Sequence, residues 1–298
     1  MGFMDAVAGS DYMLRGRCRV KNNTKICNIV ITSGSWTIEL HGKNELTGNG
    51  KSAAGIGLYI SGGSATIIAA DESASLTVNG YPKSTTNDGS SGIQVKTSLT
   101  IESGIINATV SKKDRHNDAS GAIYVTREGT LNINGGSITA TGHSRWALAA
   151  LGTINMSKGV FNIVGDGKIA VDHEPSSNFT LSGGTINITS PTGHKGLSTK
   201  DNLLITGGRM NVNILEIVDD GTMTVEGGIL ETGGIKIGDN GKLINKESLL
   251  QMVILKEMEQ LKILVQLVEL EMCRKETEQI LVRSHSPSLR RFHMMGRY

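Results

Sequence analysis

The segment FTLSGGTINI at residues 179–188 carries the pattern that decides the fold, because apolar and polar residues alternate on both sides of a glycine. With φ for an apolar residue, the pattern is φ-x-φ-x-x-G-x-φ-x-φ. Alternation with a period of two is typical of a half-buried β-strand, and a glycine between two strands permits a sharp bend or a close approach to a neighbouring segment. The segment therefore predicts two short strands joined by a tight turn.

The same pattern recurs along most of the chain. Its glycine anchors are Gly34, Gly63, Gly104, Gly136, Gly159, Gly184, Gly208 and Gly228. A third short apolar segment, such as AIYV at 122–125, often precedes the next copy. Three short strands cannot bury their apolar side alone, so the copies are expected to stack around one continuous core. The sequence predicts an all-β fold, a single-stranded parallel β-helix of about eight or nine rungs over residues 28–245.

The repeat also predicts which side chains point inward. One inward column is expected to contain Leu99, Leu131, Ile154, Phe179, Leu203 and Met223. A second is expected to contain Ile106, Ile138, Phe161, Ile186, Met210 and Leu230. One outward position repeats as asparagine, at Asn107, Asn162, Asn187 and Asn211. Stacked amides can form a hydrogen-bonded ladder, and a solvated polar face is the alternative.

Composition divides the chain into three parts. Residues 1–27 are interpreted as an N-terminal segment or cap, 28–245 as the β-helix, and 246–298 as an atypical tail. The chain has 38 glycines, of which only Gly296 lies in the tail. Positive and negative residues balance up to residue 245, so no basic surface for nucleic acid is expected. No apolar run is long enough to span a membrane. The protein is also expected to be a monomer.

The tail at 246–298 allows two interpretations. Its Leu, Met, Glu and Lys content favours a helix, although the apolar positions keep no heptad period. The alternative is a shifted reading frame, because Met252-Val253 and Met258-Glu259 each become glycine when the codons are read one base earlier. The shifted text resembles a flexible, disordered linker. The tail is thus expected to be helical, or disordered and foreign to the natural protein.

The GG-T-I-N-I rungs and the segment GLSTKDNLLITGG at 196–208 resemble the pectate-lyase-like β-helix of bacterial surface carbohydrate-binding proteins. The resemblance covers about residues 28–245 and implies non-catalytic binding of an acidic polysaccharide of the plant-cell-wall type, with calcium as cofactor. It also implies an extracellular or cell-surface location, although residues 1–17 do not read as a secretory signal peptide.

Acidic turns spaced by one repeat are the candidate calcium ligands. Calcium prefers six to eight oxygen ligands, several of them carboxylates. The predicted metal residues are Asp201, Asp219 and Asp220, and solvated turn residues are the alternative, because Asp favours turns.

A loop with an aromatic ring and two basic side chains is the candidate sugar contact. The predicted ligand-binding residues are His143, Arg145, Trp146 and Tyr81. Polygalacturonase-type motifs are incomplete: Asp219-Asp220 is present, but no Asn-Thr-Asp or Arg-Ile-Lys occurs. The chain is therefore expected not to be an enzyme. A structural or adhesive surface rod, and a polysaccharide lyase or glycoside hydrolase, are the alternative functions.

Overall fold

The computed structural model consists of β-strands and turns in every part that it describes. It describes residues 28–48, 55–81, 91–110, 121–143, 146–167, 169–218 and 220–246 in full. It also describes the backbone of short strands at 3–5, 12–13, 17–20, 25–26 and 253–254.

The strands form three faces, and neighbouring strands within each face are parallel. Face 1 contains β2 (Tyr12–Met13), β5 (Ile29–Ile31), β8 (Leu58–Ile60), β11 (Ile93–Val95), β14 (Gly121–Val125), β17 (Trp146–Ala150), β20 (Ile169–His173), β23 (Lys195–Thr199), β25 (Leu215–Ile217) and β27 (Ile235–Ile237).

Face 2 follows face 1 in each turn of the chain. It contains β1 (Phe3–Asp5), β3 (Arg17–Val20), β6 (Ser35–Leu40), β9 (Ser64–Ala69), β12 (Ser98–Ile101), β15 (Thr130–Ile133), β18 (Thr153–Met156), β21 (Asn178–Leu181), the first halves of β24 (Asn202–Val212) and β26 (Thr222–Thr232), and β28 (Lys242–Asn245).

Face 3 completes the turn. It contains β4 (Lys25–Ile26), β7 (Lys43–Thr47), β10 (Ser75–Asn79), β13 (Ile105–Thr109), β16 (Ser137–Gly142), β19 (Val160–Gly165), β22 (Thr185–Thr189), the second halves of β24 and β26, and β29 (Val253–Ile254). The parallel β-helix predicted from the sequence is confirmed. Nine face-1 strands, β5 to β27, begin successive rungs within residues 28–245.

Both predicted core columns are confirmed by the register. On face 2, Phe179 lies between Ile154 and Leu203. On face 3, Ile186 lies between Phe161 and Met210. All of these side chains are buried in one continuous cluster. Side chains of this size contribute about 1.5–3 kcal/mol each when they leave water, so the stack of rungs supplies the hydrophobic core.

The asparagine ladder also forms, over three of its four predicted members. Asn187 donates from Nδ2 to Oδ1 of Asn162 at 2.8 Å, and Asn211 donates to Oδ1 of Asn187 at 2.7 Å. Asn107 is separated from Asn162 by one rung, where Thr139 takes the equivalent position. The ladder therefore begins at Asn162 because the rung before it lacks an amide.

The glycine anchors correct the single-template interpretation. Gly34 and Gly63 stack at the turn from face 1 to face 2, whereas the anchors from Gly104 onward stack at the turn from face 2 to face 3. Both turns join two alternating strands through a left-handed glycine, so their local sequences look alike. Close approach explains the residue type: a Cβ on Gly184 would lie 2.7 Å from the carbonyl oxygen of Gly159.

Parallel pairing extends beyond residues 28–245 at both ends. The strands β2, β3 and β4 pair in register with β5, β6 and β7, and β29 pairs with β26. The predictions for the remainder of the tail lie outside the described residues. In the described part of the chain, no helical segment has the length and hydrophobicity that crossing a bilayer requires.

Candidate binding surface

The outer surface of face 1 carries the chemically most varied side chains of the described residues. Successive strands there place one outward residue each in an unbroken register, which we call the central column. Its members from β8 to β27 are Tyr59, Gln94, Tyr124, Ala149, Asp172, Ser198, Glu216 and Lys236. The column passes from aromatic and amide groups, across a small alanine, to charged groups.

The first part of the central column combines two tyrosines with two cations. Gln94 lies between Tyr59 and Tyr124, and each of the three side chains is half-buried. Lys96 and Arg127 are exposed at the turn that follows these strands, and neither forms an ion pair within the described residues. Burial raises the pKa of Tyr124, and the nearby charge of Arg127 partly offsets this shift. The phenol therefore stays neutral and can donate a hydrogen bond.

The second part contains a carboxylate pair that shares one lysine. Lys200 Nζ lies 2.6 Å from Glu174 Oε1 and 3.5 Å from Asp172 Oδ1. The Asp172 side chain is only 7% exposed. Burial raises its pKa to about 6, because the attraction of Lys200 only partly compensates for the lost hydration and Glu174 adds repulsion. Burial also opposes ionisation of Glu174, but the hydrogen bond and the charge of Lys200, the hydrogen bond with Asp172 and the charge of Arg127 together outweigh burial and lower its pKa.

Glu216 forms the next charged group along the column. It pairs with Lys195, and its Oε1 lies 3.3 Å from Lys236 Nζ. Ser198 donates from Oγ to Glu216 Oε2 at 3.3 Å. Burial opposes ionisation of this carboxyl, but the two lysines more than compensate and lower its pKa. The acidic groups of this half thus lie beside lysines, whereas Lys96 and Arg127 of the first half form no ion pair within the described residues, although the charge of Arg127 reaches Glu174.

A buried histidine lies directly beneath the charged half. His173 takes an inward position on β20 between Ala150 and Thr199, in a column that is otherwise mostly aliphatic. Burial lowers its pKa to about 4, so it is neutral at pH 7. Its ring meets Phe179 edge-on with centroids 6.1 Å apart. Sequence reasoning missed His173, although the alternation of KIAVDH at 168–173 continues inward to it.

Three of the predicted ligand residues lie on one side of face 1. Tyr81 and His143 follow β10 and β16, at the turn from face 3 to face 1, and the register places them two rungs apart. Tyr81 is 51% exposed, and His143 Nδ1 lies 3.1 Å from Asp166 Oδ2. Trp146 is half-buried at the start of β17. Arg145 lies outside the described residues.

Two of the three predicted metal residues, Asp201 and Asp220, lie on the other side of face 1, at the turn to face 2. Asp201 accepts hydrogen bonds from the backbone N–H groups of Ser176 and Asn202. Asp220 is exposed with a left-handed backbone, φ 67°, and Asp219 lies outside the described residues. Within the described ranges, no three His, Cys, Asp or Glu side chains form a metal-binding group. Calcium at this turn stays a prediction.

No family model matches the chain, and neither a curated protein nor a solved structure is significantly similar to it.

Proposed function

We propose that this protein binds an acidic polysaccharide, without cleaving it, along the outer surface of face 1. The observation that carries the proposal is the in-register set Tyr59, Gln94 and Tyr124 with Lys96 and Arg127 beside it, two cations without an ion pair in the described part of the chain. Parallel strands repeat at about 4.8 Å, which is close to the length of one sugar unit in an extended glycan. A chain lying along the solenoid axis would meet one rung per sugar.

Each group has a chemical role in this arrangement. The tyrosine rings offer an apolar surface for the C–H face of a sugar and a hydroxyl for its oxygen atoms. Gln94 can donate and accept hydrogen bonds. Arg127 can bind a uronate carboxylate through two parallel hydrogen bonds, and Lys96 adds a positive charge beside it. These cations act locally, since the body has no net positive field to attract a polyanion. The proposal includes a cell-surface location, as the resemblance implies, and a monomeric protein.

Titration calorimetry with polygalacturonate tests the proposal. The variant Arg127→Ala with Lys96→Ala should raise Kd about tenfold or more, equivalent to about 1.4 kcal/mol. Lys158→Ala is the matched control, because Lys158 is exposed at the turn between faces 2 and 3. Unchanged binding by the double variant would contradict the proposed surface. No binding to any acidic glycan would favour the structural or adhesive rod.

Calcium is a separate part of the proposal and enters the same titration as a second arm. If Asp201, Asp219 and Asp220 hold a calcium ion that bridges to uronate, calcium should strengthen binding. Excess chelator should remove that increment, and Asp220→Asn should remove it too. The contribution of Lys96 and Arg127 should persist in chelator. Equal affinity with calcium and with chelator would exclude the ion from recognition.

Polysaccharide cleavage is the second candidate function. The raised pKa of Asp172 is the observation that favours it. A carboxyl with a pKa near 6 can serve as a general acid or base, and Glu174 lies two residues along the same strand end. New reducing ends or unsaturated uronates that disappear in Asp172→Asn would establish cleavage. The binding proposal expects neither product from the wild-type protein.

A further inference from the structure

The outer surface of face 3 is free of charge over five consecutive strands, β10, β13, β16, β19 and β22. We call this surface the uncharged patch. Its outward residues form three columns: Ser75, Ile105, Ser137, Val160 and Thr185; Thr77, Asn107, Thr139, Asn162 and Asn187; and Asn79, Thr109, Thr141, Val164 and Thr189. Every one of these side chains is half-buried or exposed.

The patch is regular and firmly supported. The strand register runs without a shift from β10 to β22. The residues between the outward ones, such as Leu76, Ile138 and Ile186, are fully buried in the core. Adjacent strands are spaced by about 4.8 Å, and alternate residues on one strand by about 6.7 Å. The patch is therefore a two-dimensional lattice of small side chains.

Charged residues border the patch at both ends. Lys43 and Glu45 occupy two of the three outward positions on β7, the preceding strand, and Thr47 occupies the third. Arg209 on β24 and Glu231 on β26 follow β22, and they pair with each other. The outward strand positions of face 2 are also uncharged from β9 to the first half of β26. What distinguishes the patch is therefore its exposed aliphatic side chains, Ile105, Val160 and Val164.

The composition of the patch excludes most kinds of partner. A surface without Lys or Arg offers nothing to nucleic acid. Protein interfaces are enriched in aromatic residues, Met and Arg and depleted in Ser, and the patch has none of the first group. Without an aromatic ring, it also cannot stack on a sugar. What it offers are hydroxyl, amide and methyl groups at fixed intervals, with Ile105, Val160 and Val164 37–40% exposed.

We propose that the uncharged patch binds the surface of an ice crystal. Hydroxyls and amides at regular intervals can anchor water molecules by hydrogen bonds, and the methyl groups between them restrict the remaining water. Water ordered on a rigid, flat lattice can continue directly into the lattice of ice. Charged side chains would impose their own hydration shells, and the patch carries none.

Ice-recrystallisation inhibition and thermal hysteresis of the full chain test this proposal. The wild-type protein should suppress growth of ice grains, and Thr139→Lys should need a concentration about tenfold higher, because a long charged side chain stands between the patch and the ice. Thr66→Lys is the matched control: Thr66 is half-buried in an outward column of face 2, between Thr37 and Thr100. That face is also uncharged there, but within the described residues its strands carry no exposed large aliphatic side chain. The control should act like the wild type.

Several outcomes would overturn the proposal. They are absence of ice activity in the wild-type protein, equal loss in both variants, and retention in Thr139→Lys. Melting temperatures of both variants will show whether either has a folding defect. Thr139→Val adds no charge and little bulk, so it should keep most of the ice activity. A dimer that Thr139→Lys dissociates would show instead that a second copy covers the patch. Polygalacturonate binding should be unchanged in Thr139→Lys, so this proposal can fail independently of the function proposed for face 1.

Discussion

His173 Nδ1 lies 2.7 Å from Thr199 Oγ1 inside the solenoid. The Thr199 hydroxyl donates its hydrogen to the carbonyl oxygen of Asp201 at 3.1 Å, so it can only accept from the imidazole. This bond places the imidazole hydrogen on Nδ1. The other nitrogen, Nε2, is buried and has no hydrogen-bond partner among the described residues. The core thus contains one polar pair whose geometry determines the histidine tautomer.

The first prediction concerns that tautomer. At pH 7, long-range nitrogen–proton correlation NMR should show His173 neutral and protonated on Nδ1. In Thr199→Val the acceptor is lost, so the tautomer preference should weaken and the protein should lose about 1–3 kcal/mol of stability. A wild-type spectrum with the hydrogen on Nε2 would contradict the assigned direction of the bond.

The second prediction concerns the adjacent residues Asp172 and His173. Their contributions to the stability of the folded protein should change with pH in opposite directions. Burial lowers the pKa of His173 from 6.5 to about 4, so between these values the unfolded chain binds the extra proton and the His173 contribution rises with pH. Burial raises the pKa of Asp172 from 3.8 to about 6, so the folded chain binds the extra proton and its contribution falls with pH.

Denaturant unfolding at several pH values can separate the two contributions. The stability difference between wild type and His173→Val should increase by up to about 3 kcal/mol from pH 4 to 6.5. The difference between wild type and Asp172→Asn should change in the opposite direction. If both stability differences changed in the same direction with pH, one of the two residues would not be buried as described.

The third prediction separates strain from crowding at the glycine turns. Gly184 has φ 80° and a crowded Cβ position, Gly193 has φ 82° with open space, and Gly234 has open space without a left-handed backbone. Gly234→Ala should be neutral in thermal unfolding, and Gly193→Ala should cost about 1–2 kcal/mol. Gly184→Ala should cost about 3 kcal/mol or more, because a neighbouring rung must move. Equal costs at Gly184 and Gly193 would argue against close stacking of the turns.

The fourth prediction concerns the asparagine ladder. Asn187 both donates to Asn162 and accepts from Asn211, whereas Asn162 only accepts in this ladder. At about 1 kcal/mol per hydrogen bond, Asn187→Ala should cost about twice as much as Asn162→Ala. Thr180→Ala on face 2 is a suitable control, because Thr180 is half-buried on an outward position outside the ladder. Equal losses in all three variants would mean that solvated amides, not a ladder, occupy the face.

The sequence was sufficient to predict the fold because the alternation of residues such as Phe179 and Leu181 directly reports burial. It was not sufficient to distinguish the two kinds of turn, since Gly63 and Gly104 have the same local pattern at different corners. The pairing of Lys200 with Glu174 depends on the register between strands that are 26 residues apart in sequence. The connections between strands differ in length, so this register cannot be read from the sequence. A lone inward histidine such as His173 gives no composition signal at all.

The turns between faces 2 and 3 have the same length on four successive rungs, at 102–104, 134–136, 157–159 and 182–184, after turns at 41–42 and 70–74. The connections from face 3 to face 1 differ more widely. Insertions and deletions are therefore expected to accumulate at the corner between face 3 and face 1. A longer loop at that corner leaves the spacing between rungs unchanged. That corner borders the tyrosine column of face 1. The fold thus permits the surface that we propose for glycan binding to diversify while the three-residue glycine turns keep their length.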